Sequence, residues 1–469
     1  MAKIFTLNYQ YIMKYPAHVF KAYDIRGLSD LEITPEMARD LGRSFVLFLR
    51  EKMGYVFTSG QKLVVGRDMR KTSPALAEAL IEGILESGVG VADIGLCTTP
   101  LFNFTCAHYA DFMGGIMVTA SHNPGDFNGF KLTMKDGLPV GETTGLPEIY
   151  FLMERGSHIP SDQRGELTTF NPREDYYARI FALVDPKEIK PLKVVFDAGN
   201  GMAMATFEEF LQKLPVQVEK MYFNPDGNFP NHEANPLKIE TLRDLQRKVR
   251  ETGADFGFAT DGDADRIGLV DETGEIVPAS FAGEMVGLEI LKQKRSGLML
   301  YDPRISHAVR ENWEKNGATT DMCKVGHANI KKMMKERKAI FAAELSLHLY
   351  YGDMYDLESS DLSFLYFAHM LSTSGKKLSE LWKPLQSHFH SGEINFQVED
   401  REAVMGKLRE KFSDAKISTL DGLLFEYPDC WISIRMSNTE PLVRLVAEAD
   451  TAELLAEKIA EVEGEIKGV

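Results

Sequence analysis

The chain repeats one short pattern three times, and this repeat limits the folds that it can adopt. In each copy an apolar, strand-like run ends in a loop that contains an aspartate, and a helix-like segment follows. The copies are LVVGRDMRKTS (63–73), KVVFDAGNGMA (193–203) and LMLYDPRISHA (298–308). Short β-branched runs that alternate with helical periodicity are typical of α/β domains with mostly parallel sheets. The repeat therefore predicts three similar α/β domains.

Each copy then continues through a second strand-like run into a polar loop. These runs are GGIMVTASHN (114–123), DFGFATDGDADR (255–266) and KAIFAAELSLH (338–348). Any α/β protein repeats strand, loop and helix, so the content of the loops is more informative than the repeat itself. The first holds a serine, the second three carboxylates and the third a Glu/Ser/His group. Because ligands bind at the carboxyl ends of strands in open α/β sheets, we expect these three loops to face one cleft.

The length of the chain and a change in its strand and helix pattern near residue 386 indicate the domain organisation. A chain of 469 residues suggests about three or four domains. From residue 386 onward, strand-like and helical runs succeed one another without the repeat, which predicts a small α+β domain. We therefore expect three similar mixed-sheet α/β domains and a smaller C-terminal α+β domain around a central cleft. The expected domains are 1–166, 167–275, 276–385 and 386–469.

Composition narrows the class of partner. The formal net charge is −16, which disfavours nucleic acid and anionic membranes but leaves small anionic substrates open. No run reaches the roughly 18 to 20 apolar residues of a membrane span, and the N-terminus lacks a signal-peptide pattern. Four scattered cysteines without a CxxC pair fit thiols in a reducing compartment. These features predict a soluble, cytoplasmic protein.

The segment GGIMVTASHNPGDFNGFKL (114–132) contains the first candidate for chemistry. Ser121 follows a strand-like run and lies beside His122 in a Gly/Pro turn, and Lys131 adds a cation. A serine in this setting is a plausible nucleophile or phosphate acceptor. By itself the motif fits a plain polar turn equally well. No GxSxG elbow is present, which disfavours a hydrolase triad.

The segment DGDADR (261–266) is a candidate metal site. Asp261, Asp263 and Asp265 alternate directly after a strand-like run, so an extended loop can direct all three carboxylates inward. Such a cluster favours a hard cation, Mg²⁺ or Ca²⁺, over a solvated acidic turn. The spacing imitates an EF-hand, but Arg266 replaces the required glycine and a strand precedes the loop.

Two further segments carry polar groups suited to a sugar phosphate. One is RMSNTEPLVR (435–444), in which a guanidinium, two hydroxyls and an amide could bind a phosphate without chemistry. The other is AELSLHLY (343–350), in which Glu344, Ser346 and His348 alternate along a segment that we expect to be extended. A polar hairpin turn and a solvent-facing strand edge, respectively, are the alternatives.

Together these motifs resemble the α-D-phosphohexomutase superfamily, and most of all its bacterial phosphomannomutase/phosphoglucomutase branch. The resemblance runs from FKAYDIRG (20–27) through TASHNP, NGFK, DGDADR and KVGH (324–327) to RMSNTEP. No single motif decides it, but the set in this order is specific. The family fold has three similar α/β domains and a smaller fourth domain around a deep cleft, in agreement with the repeat.

The resemblance implies a role for each matching residue. Ser121 matches the phosphorylated serine, and its phosphate would complete a Mg²⁺ site with Asp261, Asp263 and Asp265. The other implied catalytic residues are His122, Lys131, Arg26 and Arg266. The implied sugar contacts are Tyr23, Arg304, His327, Glu344, Ser346 and His348. The implied site for the distal phosphate comprises Arg435, Ser437, Asn438 and Thr439.

Two departures from the family pattern fall in the sugar-recognition region. The family loop usually reads Gly-Glu-Met-Ser-Gly-His, whereas Ala343 and Leu347 replace both glycines here. A leucine does not readily take a left-handed backbone angle, so we expect a loop of different shape. In YDPR, Arg304 stands where a lysine or arginine is usual, although a valine is commoner before it.

The implied activity is exchange of phosphate between C1 and C6 of a hexose, with Mg²⁺ as cofactor and a hexose 1,6-bisphosphate as activator. Mannose and glucose phosphates are the expected substrates, and glucosamine phosphate is the nearest alternative. A metal-dependent sugar phosphatase would share the aspartates but would have little use for a distal phosphate loop. A non-catalytic phosphosugar-binding protein would not need Ser121.

Overall fold

The computed structural model describes residues 13–58, 60–157, 161–436 and 441–467. Its strands form four sheets, and each sheet belongs to one region of the chain. Three sheets are mixed and flanked by helices, whereas the fourth is antiparallel, which confirms the predicted fold class. Among the helices of these residues, none combines the length and apolar character needed to cross a bilayer.

The first domain has a six-stranded sheet. Its strands are β1 (Ile25–Leu28), β2 (Lys62–Arg67), β3 (Gly90–Leu96), β4 (Phe112–Val118), β5 (Phe127–Met134) and β6 (Leu167–Thr169). Its helices are α1 (Pro35–Glu51), α2 (Ser73–Glu86), α3 (Thr99–His108) and α4 (Leu146–Glu154). Helix α1 begins where the hydroxyl of Thr34 accepts a hydrogen bond from the amide of Met37, with a proline at the first helical position.

The second and third domains follow the same plan with fewer strands in the sheet. The second contains α5 (Arg173–Leu183), β7 (Leu192–Asp197), α6 (Met204–Gln212), β8 (Val216–Met221), α7 (Arg243–Thr252), β9 (Phe256–Thr260) and β10 (Ile267–Asp271). The third contains α8 (Ala279–Lys294), β11 (Gly297–Tyr301), α9 (His307–Lys315), β12 (Ala318–Met322), α10 (His327–Arg337), β13 (Phe341–Ala343), β14 (Leu349–Tyr351), β15 (Leu357–Glu358), α11 (Ser360–Ser374) and α12 (Leu378–Trp382).

The three sheets share one four-stranded motif. The first strand of each sequence repeat, β2, β7 or β11, pairs in parallel with a strand on each side. One of those neighbours, β4, β9 or β13, then turns back into an antiparallel partner, β5, β10 or β14. The loop of this hairpin is in each case the polar loop singled out from the sequence. The predicted threefold repeat is therefore a structural repeat.

The aspartate that ends each repeat strand has the same local role in all three domains. Asp68, Asp197 and Asp302 each accept a hydrogen bond from the backbone amide two residues later, at 3.0, 2.8 and 2.7 Å. This side-chain turn carries the chain from the strand toward the following helix. The repeated aspartate is thus explained by loop geometry.

The fourth domain is built from β16 (Phe389–His390), β17 (Ile394–Gln397), α13 (Arg401–Lys411), β18 (Lys416–Ser418), β19 (Leu423–Glu426), β20 (Cys430–Met436), β21 (Leu442–Ala449) and α14 (Ala452–Lys467). Its strands pair in the order β16-β21-β20-β19-β18, and β17 also pairs with β21. The exact domain boundaries stay predictions. The first sheet takes in β6, just beyond the expected boundary at residue 166.

Hydrophobic packing joins the first three domains and leaves the fourth with a core of its own. One cluster of buried side chains runs through the first three domains, whereas a separate cluster fills the fourth. At the second sheet, Phe364 of α11 packs against Phe196 and Phe258, with ring centroids 6.2 and 5.2 Å apart. Between the first and second domains, Phe104 meets Tyr176 edge to face at 5.2 Å. These contacts hold the first three polar loops in a fixed relation.

A buried acid in α8 gives a test of this packing. Glu284 has no exposed surface; one carboxyl oxygen accepts a hydrogen bond from the Asn312 amide at 2.6 Å, and the other has no partner among the described residues. Burial raises the pKa of Glu284 to about 8, although the Asn312 hydrogen bond opposes the shift. The folded protein therefore holds a proton here that the unfolded chain releases above its ordinary pKa.

Glu284→Gln should raise the melting temperature more at pH 8.5 than at pH 5.5. The wild-type contribution is fully present at low pH and is lost as the pH rises through about 8, and the uncharged amide does not titrate. The gain at high pH should be on the order of 1–3 kcal/mol, measured by thermal unfolding. The exposed Glu311→Gln is the control. An equal shift at both pH values would contradict the prediction.

Candidate active site

The predicted phosphoserine lies in the hairpin loop between β4 and β5. Ser121 has a left-handed backbone (φ 51°), and its amide donates to the hydroxyl of Thr119 at 2.9 Å. Its side chain is almost entirely buried. Left-handed angles are uncommon outside glycine and cost about 1–3 kcal/mol, so the surroundings must hold this conformation.

The guanidinium of Arg70 supplies much of that support. It donates to four backbone carbonyls of the loop, those of Ser121, Asn123, Pro124 and Phe127, at 2.6–2.9 Å. Arg70 is 1% exposed, and its charge is balanced by Asp68 at 3.2 Å. The buried guanidinium of Arg70, which lies in the loop after β2, therefore holds the serine loop in place.

The hydroxyl of Ser121 faces the second domain. Oγ donates to Oδ2 of Asp261 at 2.9 Å and lies 3.1 Å from Nδ1 of His122. Burial lowers the pKa of His122 well below its ordinary value, and Arg266 and Arg26 lower it further, so the imidazole is neutral. Gly262 permits this approach, because a Cβ there would lie 2.3 Å from the Ser121 carbonyl oxygen. The hydroxyl thus lies between a carboxylate and a neutral imidazole.

The three aspartates of the second loop form one cluster. Each of Asp261, Asp263 and Asp265 is buried, and one oxygen from each lies within 4.8 Å of the others. Lys131 on β5 bridges two of them, with Nζ 2.6 Å from Oδ2 of both Asp263 and Asp265. Thr99, at the start of α3, donates to the same Asp263 oxygen at 2.6 Å.

The charges in this cluster shift its pKa values in opposite directions. Burial and the two neighbouring carboxylates raise the pKa of Asp261 well above its ordinary value. Burial alone would also raise the pKa of Asp265, but Lys131 and His348 outweigh it and lower that pKa. Burial opposes the charge on Lys131 too, yet Asp263 and Asp265 raise its pKa. Lys131 is therefore a fixed ammonium ion rather than a base.

The cluster has the chemistry expected of a site for a hard cation. Asp263 Oδ1 is buried and has no hydrogen-bond partner among the residues that the structure describes. Three carboxylates and one lysine leave a net negative charge, and oxygen ligands suit Mg²⁺. A buried carboxylate oxygen without a partner is costly, so a bound cation would remove a penalty that the protein groups leave.

The third loop differs in conformation from the sequence expectation. Residues 344–348 form a tight turn between β13 and β14, so the expectation of an extended segment was wrong. Leu347 takes the left-handed backbone that we expected it to avoid (φ 70°). Its carbonyl accepts from the amide of Ile267 at 3.1 Å, and its own amide donates to the Glu344 carbonyl at 3.0 Å. These two bonds offset the cost of the angle.

The tight turn nevertheless brings the side chains of Glu344, Ser346 and His348 together. His348 Nδ1 lies 2.8 Å from the hydroxyl of Ser346 and 3.0 Å from Glu344, and its Nε2 lies 3.3 Å from Asp265. Burial would lower the pKa of His348, but the Asp265 and Glu344 carboxylates raise it to about 9. The Glu344–His348 loop of the third domain is thus bonded directly to the aspartate loop of the second domain.

The arginines expected at the site are also near these loops. Arg304 is buried against Asp302 at 2.8 Å and lies 3.6 Å from Glu344. The backbone amide of Arg266 donates to Asp261 at 3.2 Å. Arg26 on β1 donates to the side chain of Asn123 at 2.7 Å, which places it beside the serine loop.

Tyr23 and His327 meet at the start of α10. Their rings are in edge-to-face contact with centroids 5.5 Å apart, and the Tyr23 hydroxyl donates to the carbonyl of Val325 at 2.9 Å. Gly326 is required here, since a Cβ would lie 2.3 Å from the tyrosine ring. The Gly326 amide donates to Glu344 at 3.0 Å. Burial raises the pKa of Tyr23 to about 12 and lowers that of His327 well below its ordinary value.

The predicted distal phosphate site is only partly described. Arg435 lies near the end of β20, and its Nε is 2.9 Å from Oδ2 of Asp421. Ser437, Asn438 and Thr439 lie outside the described residues. Their roles stay predictions, as do those of the other candidate residues.

Sequence reasoning missed several residues that organise the site, notably Arg70, Thr99 and Asp421. Arg70 follows the first repeat aspartate by two residues, in the same place as Arg304 after Asp302, and this parallel was a usable signal. Thr99 sits in an ordinary-looking TTP segment at the start of a helix. Its contact with Asp263 spans 164 residues, and only the folded chain reveals it.

Comparisons with known proteins agree with this geometry. Models of phosphoglucomutase/phosphomannomutase α/β/α domains I, II and III match residues 17–159, 174–274 and 281–389, and the C-terminal domain model matches residues 393–465. The phosphohexose mutases of Xanthomonas campestris pv. campestris are 35% identical over 453 residues, which cover 96% of this chain and 99% of the relative. A phosphomannomutase of Vibrio cholerae is 34% identical over 458 residues, covering 96% and 98%.

A solved structure shows the same arrangement. The phosphoglucomutase/phosphomannomutase family protein of Burkholderia thailandensis is 30% identical, with a TM-score of 0.87 over 97% of this chain and 98% of its own. Fold and matches together make the chain a member of the α-D-phosphohexomutase superfamily. Within it, the chain belongs to the phosphomannomutase/phosphohexose mutase branch, a family of isomerases, as the sequence predicted.

Arg70→Lys should loosen the serine loop. A lysine ammonium has three donors and lacks the planar fork, so it cannot serve four carbonyls at once. The free energy of unfolding should fall by about 2–4 kcal/mol, and amide exchange should rise chiefly within residues 119–127. Arg164→Lys, at an exposed pair with Glu82 in the same domain, is the control. Unchanged exchange in the serine loop would contradict this role for Arg70.

Proposed function

We propose that this enzyme interconverts hexose 1-phosphate and hexose 6-phosphate, with mannose, glucose or both as the sugar, through a phosphorylated Ser121. The observation that carries the proposal is the 2.9 Å hydrogen bond from the Ser121 hydroxyl to Asp261, a member of the buried acidic cluster. The serine proposed to carry the phosphate is therefore adjacent to the proposed cation site. The names of the relatives, phosphohexose mutase and phosphomannomutase, support the choice of sugar phosphate.

Asp261, Asp263 and Asp265 would hold Mg²⁺ together with an oxygen of the phosphorylated Ser121. Phosphoserine adds a charge of about −1.5 to −2 to a site that already contains three carboxylates. A bound divalent cation would offset that repulsion and polarise the phosphoryl group. Lys131, already placed between Asp263 and Asp265, contributes the protein's own positive charge.

In the first half-reaction the phosphoryl group leaves Ser121 for the free hydroxyl of a hexose monophosphate. The bond from phosphorus to Oγ breaks, a bond to the sugar oxygen forms, the sugar hydroxyl gives up its proton, and Oγ takes one up. His122 Nδ1, 3.1 Å from Oγ, is within reach to exchange that proton. Phosphoryl transfer asks little more of a protein than alignment and charge balance.

In the second half-reaction the hexose 1,6-bisphosphate reorients, and its other phosphate returns to Ser121. The enzyme must therefore hold a phosphate that does not react, and Arg435 with Ser437, Asn438 and Thr439 is the proposed holder. Glu344, Ser346, His348, His327, Tyr23 and Arg304 supply polar groups for the sugar, and Arg26 and Arg266 supply charge beside the reacting phosphate. A free hexose 1,6-bisphosphate would phosphorylate a Ser121 that has lost its phosphate. The bisphosphate would therefore act as an activator.

Other substrates are outcomes of the same assay. A glucosamine phosphate is the nearest competing substrate, and Leu347, which replaces a glycine of the usual sugar loop, leaves this alternative open. A phosphatase would release inorganic phosphate instead of isomerising the sugar. A phosphosugar-binding protein would bind without turnover, and it would have no need of Ser121 beside the acidic cluster.

The activity is tested by supplying mannose 1-phosphate, glucose 1-phosphate and glucosamine 1-phosphate with Mg²⁺ and measuring the 6-phosphates. Intact-mass measurement should show one phosphate on part of the wild-type protein and none on Ser121→Ala, which should also lack turnover. Ser161→Ala, in the same region of the chain, should behave as wild type. A chelator should abolish turnover and Mg²⁺ restore it. Full activity of Ser121→Ala would refute the phosphoserine mechanism.

Arg435→Ala should weaken substrate binding without preventing phosphorylation of Ser121. Loss of one charged phosphate contact costs about 1.5–3 kcal/mol, so KM should rise roughly ten- to a hundredfold. A bisphosphate that is held less firmly escapes before it reorients, and turnover should then depend on added glucose 1,6-bisphosphate. Arg409→Ala, an exposed change on α13, is the control. An unchanged KM without new bisphosphate dependence would exclude Arg435 from phosphate binding.

A further inference from the structure

An Asp-Gly turn between β18 and β19 lies against the arginine of the proposed phosphate site. Gly422 in this turn has a left-handed backbone (φ 76°). A Cβ on Gly422 would lie 2.2 Å from the carbonyl oxygen of Ile434 and 3.0 Å from Cγ of Arg435. Only glycine therefore lets the turn approach the end of β20 so closely, and the approach brings Asp421 beside Arg435.

The carboxylate of Asp421 makes two contacts in different domains. Its Oδ2 lies 2.9 Å from Nε of Arg435, and the same oxygen accepts from the backbone amide of Val325 at 3.1 Å. Both side chains of the ion pair are largely buried, at 8% exposure for Asp421 and 15% for Arg435. The pair is thus better shielded from solvent than an ordinary surface ion pair.

The segment that Asp421 contacts is the point at which three domains meet. The Val325 carbonyl accepts from Tyr23 of the first domain, and the next amide, that of Gly326, donates to Glu344 of the sugar-recognition loop. The amide of Val325 is taken by Asp421 of the fourth domain. A shift of Asp421 would therefore be felt both at Arg435 and beside two predicted sugar contacts, Tyr23 and Glu344.

We propose that Asp421 is a positioning residue, which orients Arg435 toward the distal phosphate and docks the fourth domain onto the Val325–Gly326 segment. This inference rests on the proposed function, in which Arg435 binds that phosphate. The close ion pair with Asp421 restrains the Arg435 guanidinium electrostatically, and phosphates bind a guanidinium through pairs of its N–H groups. The fourth domain has a core of its own, and a small apolar cluster around Trp431 joins it to Met322 and Leu345 of the third domain. The Asp421 contact adds a directional polar bond to this interface.

Two variants distinguish the contact of Asp421 with Arg435 from its contact with Val325. Asp421→Asn keeps an oxygen that can accept from the Val325 amide but loses the charge that pairs with Arg435. Asp421→Ala loses both. Calorimetric titration with glucose 1-phosphate and mannose 1-phosphate should show affinity weakened roughly three- to thirtyfold in Asp421→Asn. KM should rise in step, and the fold should be intact by circular dichroism.

A double-mutant cycle decides whether Asp421 acts through Arg435. In the Arg435→Ala background, Asp421→Asn should have little further effect on affinity, because the group that it positions is gone. The matched control is Asp414→Asn, a change in the same domain at a carboxylate that accepts an exposed hydrogen bond from the Tyr427 hydroxyl. Equal losses in both backgrounds, or wild-type affinity in Asp421→Asn, would overturn the proposal.

Hydrogen exchange tests the docking contact independently of any substrate. The Val325 amide should lose protection in Asp421→Ala and keep most of it in Asp421→Asn, because only the alanine removes the acceptor. Unchanged protection in Asp421→Ala would overturn the docking role. If the wild-type protein bound neither sugar phosphate, the proposed function would fail, whereas the exchange result would still decide whether Asp421 docks the domain.

Discussion

Three buried carboxylates occupy one small volume where the loops of three domains meet, and the rest of the site depends on how their charge is balanced. An unpaired buried charge costs several kcal/mol, so cations from elsewhere in the chain must converge on it. Lys131 comes from the first domain and His348 from the third, and each contacts the aspartates of the second. The ion pairs that balance the aspartates of the second domain therefore link all three domains.

The division of the hydrophobic core complements this arrangement. The first three domains share one cluster of buried side chains, whereas the fourth has its own. The groups proposed for phosphoryl transfer therefore stand on domains that pack against one another through a common core. The group proposed for the distal phosphate stands on a domain with its own core. That domain meets the third domain through a small apolar cluster around Trp431 and through polar contacts, such as those of Glu393 with Arg304 and of Asp421 with Val325. A fixed reacting end and a separate holding domain would suit the proposed reorientation of the bisphosphate.

Each of the three hairpin loops also contains one residue with a strained backbone. Ser121, Ala264 and Leu347 are left-handed non-glycine residues, and each lies in one of the three hairpin loops. Such conformations cost about 1–3 kcal/mol each and persist only where neighbours impose them. Arg70 holds the first and the Ile267 amide holds the third, while the carbonyl of Ala264 accepts from the hydroxyl of Ser360. The contacts that shape the loops are largely between distant parts of the chain.

Hydrophobic periodicity and local motifs predicted the threefold repeat, the fold class and the loops that carry Ser121, the aspartates and the Glu344–His348 group. These features are local, because strand and helix patterns and side-chain turns depend on residues that are neighbours in sequence.

The sequence did not predict that Leu347 would be left-handed, that Arg70 would hold the serine loop, or that Asp421 would pair with Arg435 and Val325. Each of these depends on partners that are distant in the chain or on a turn imposed by its neighbours, and a single sequence does not encode such distances in any local pattern. The chemical nature of the site's side chains could therefore be predicted from the sequence. Their placement relative to one another was decided by tertiary packing, because only packing can force buried charges and strained turns together.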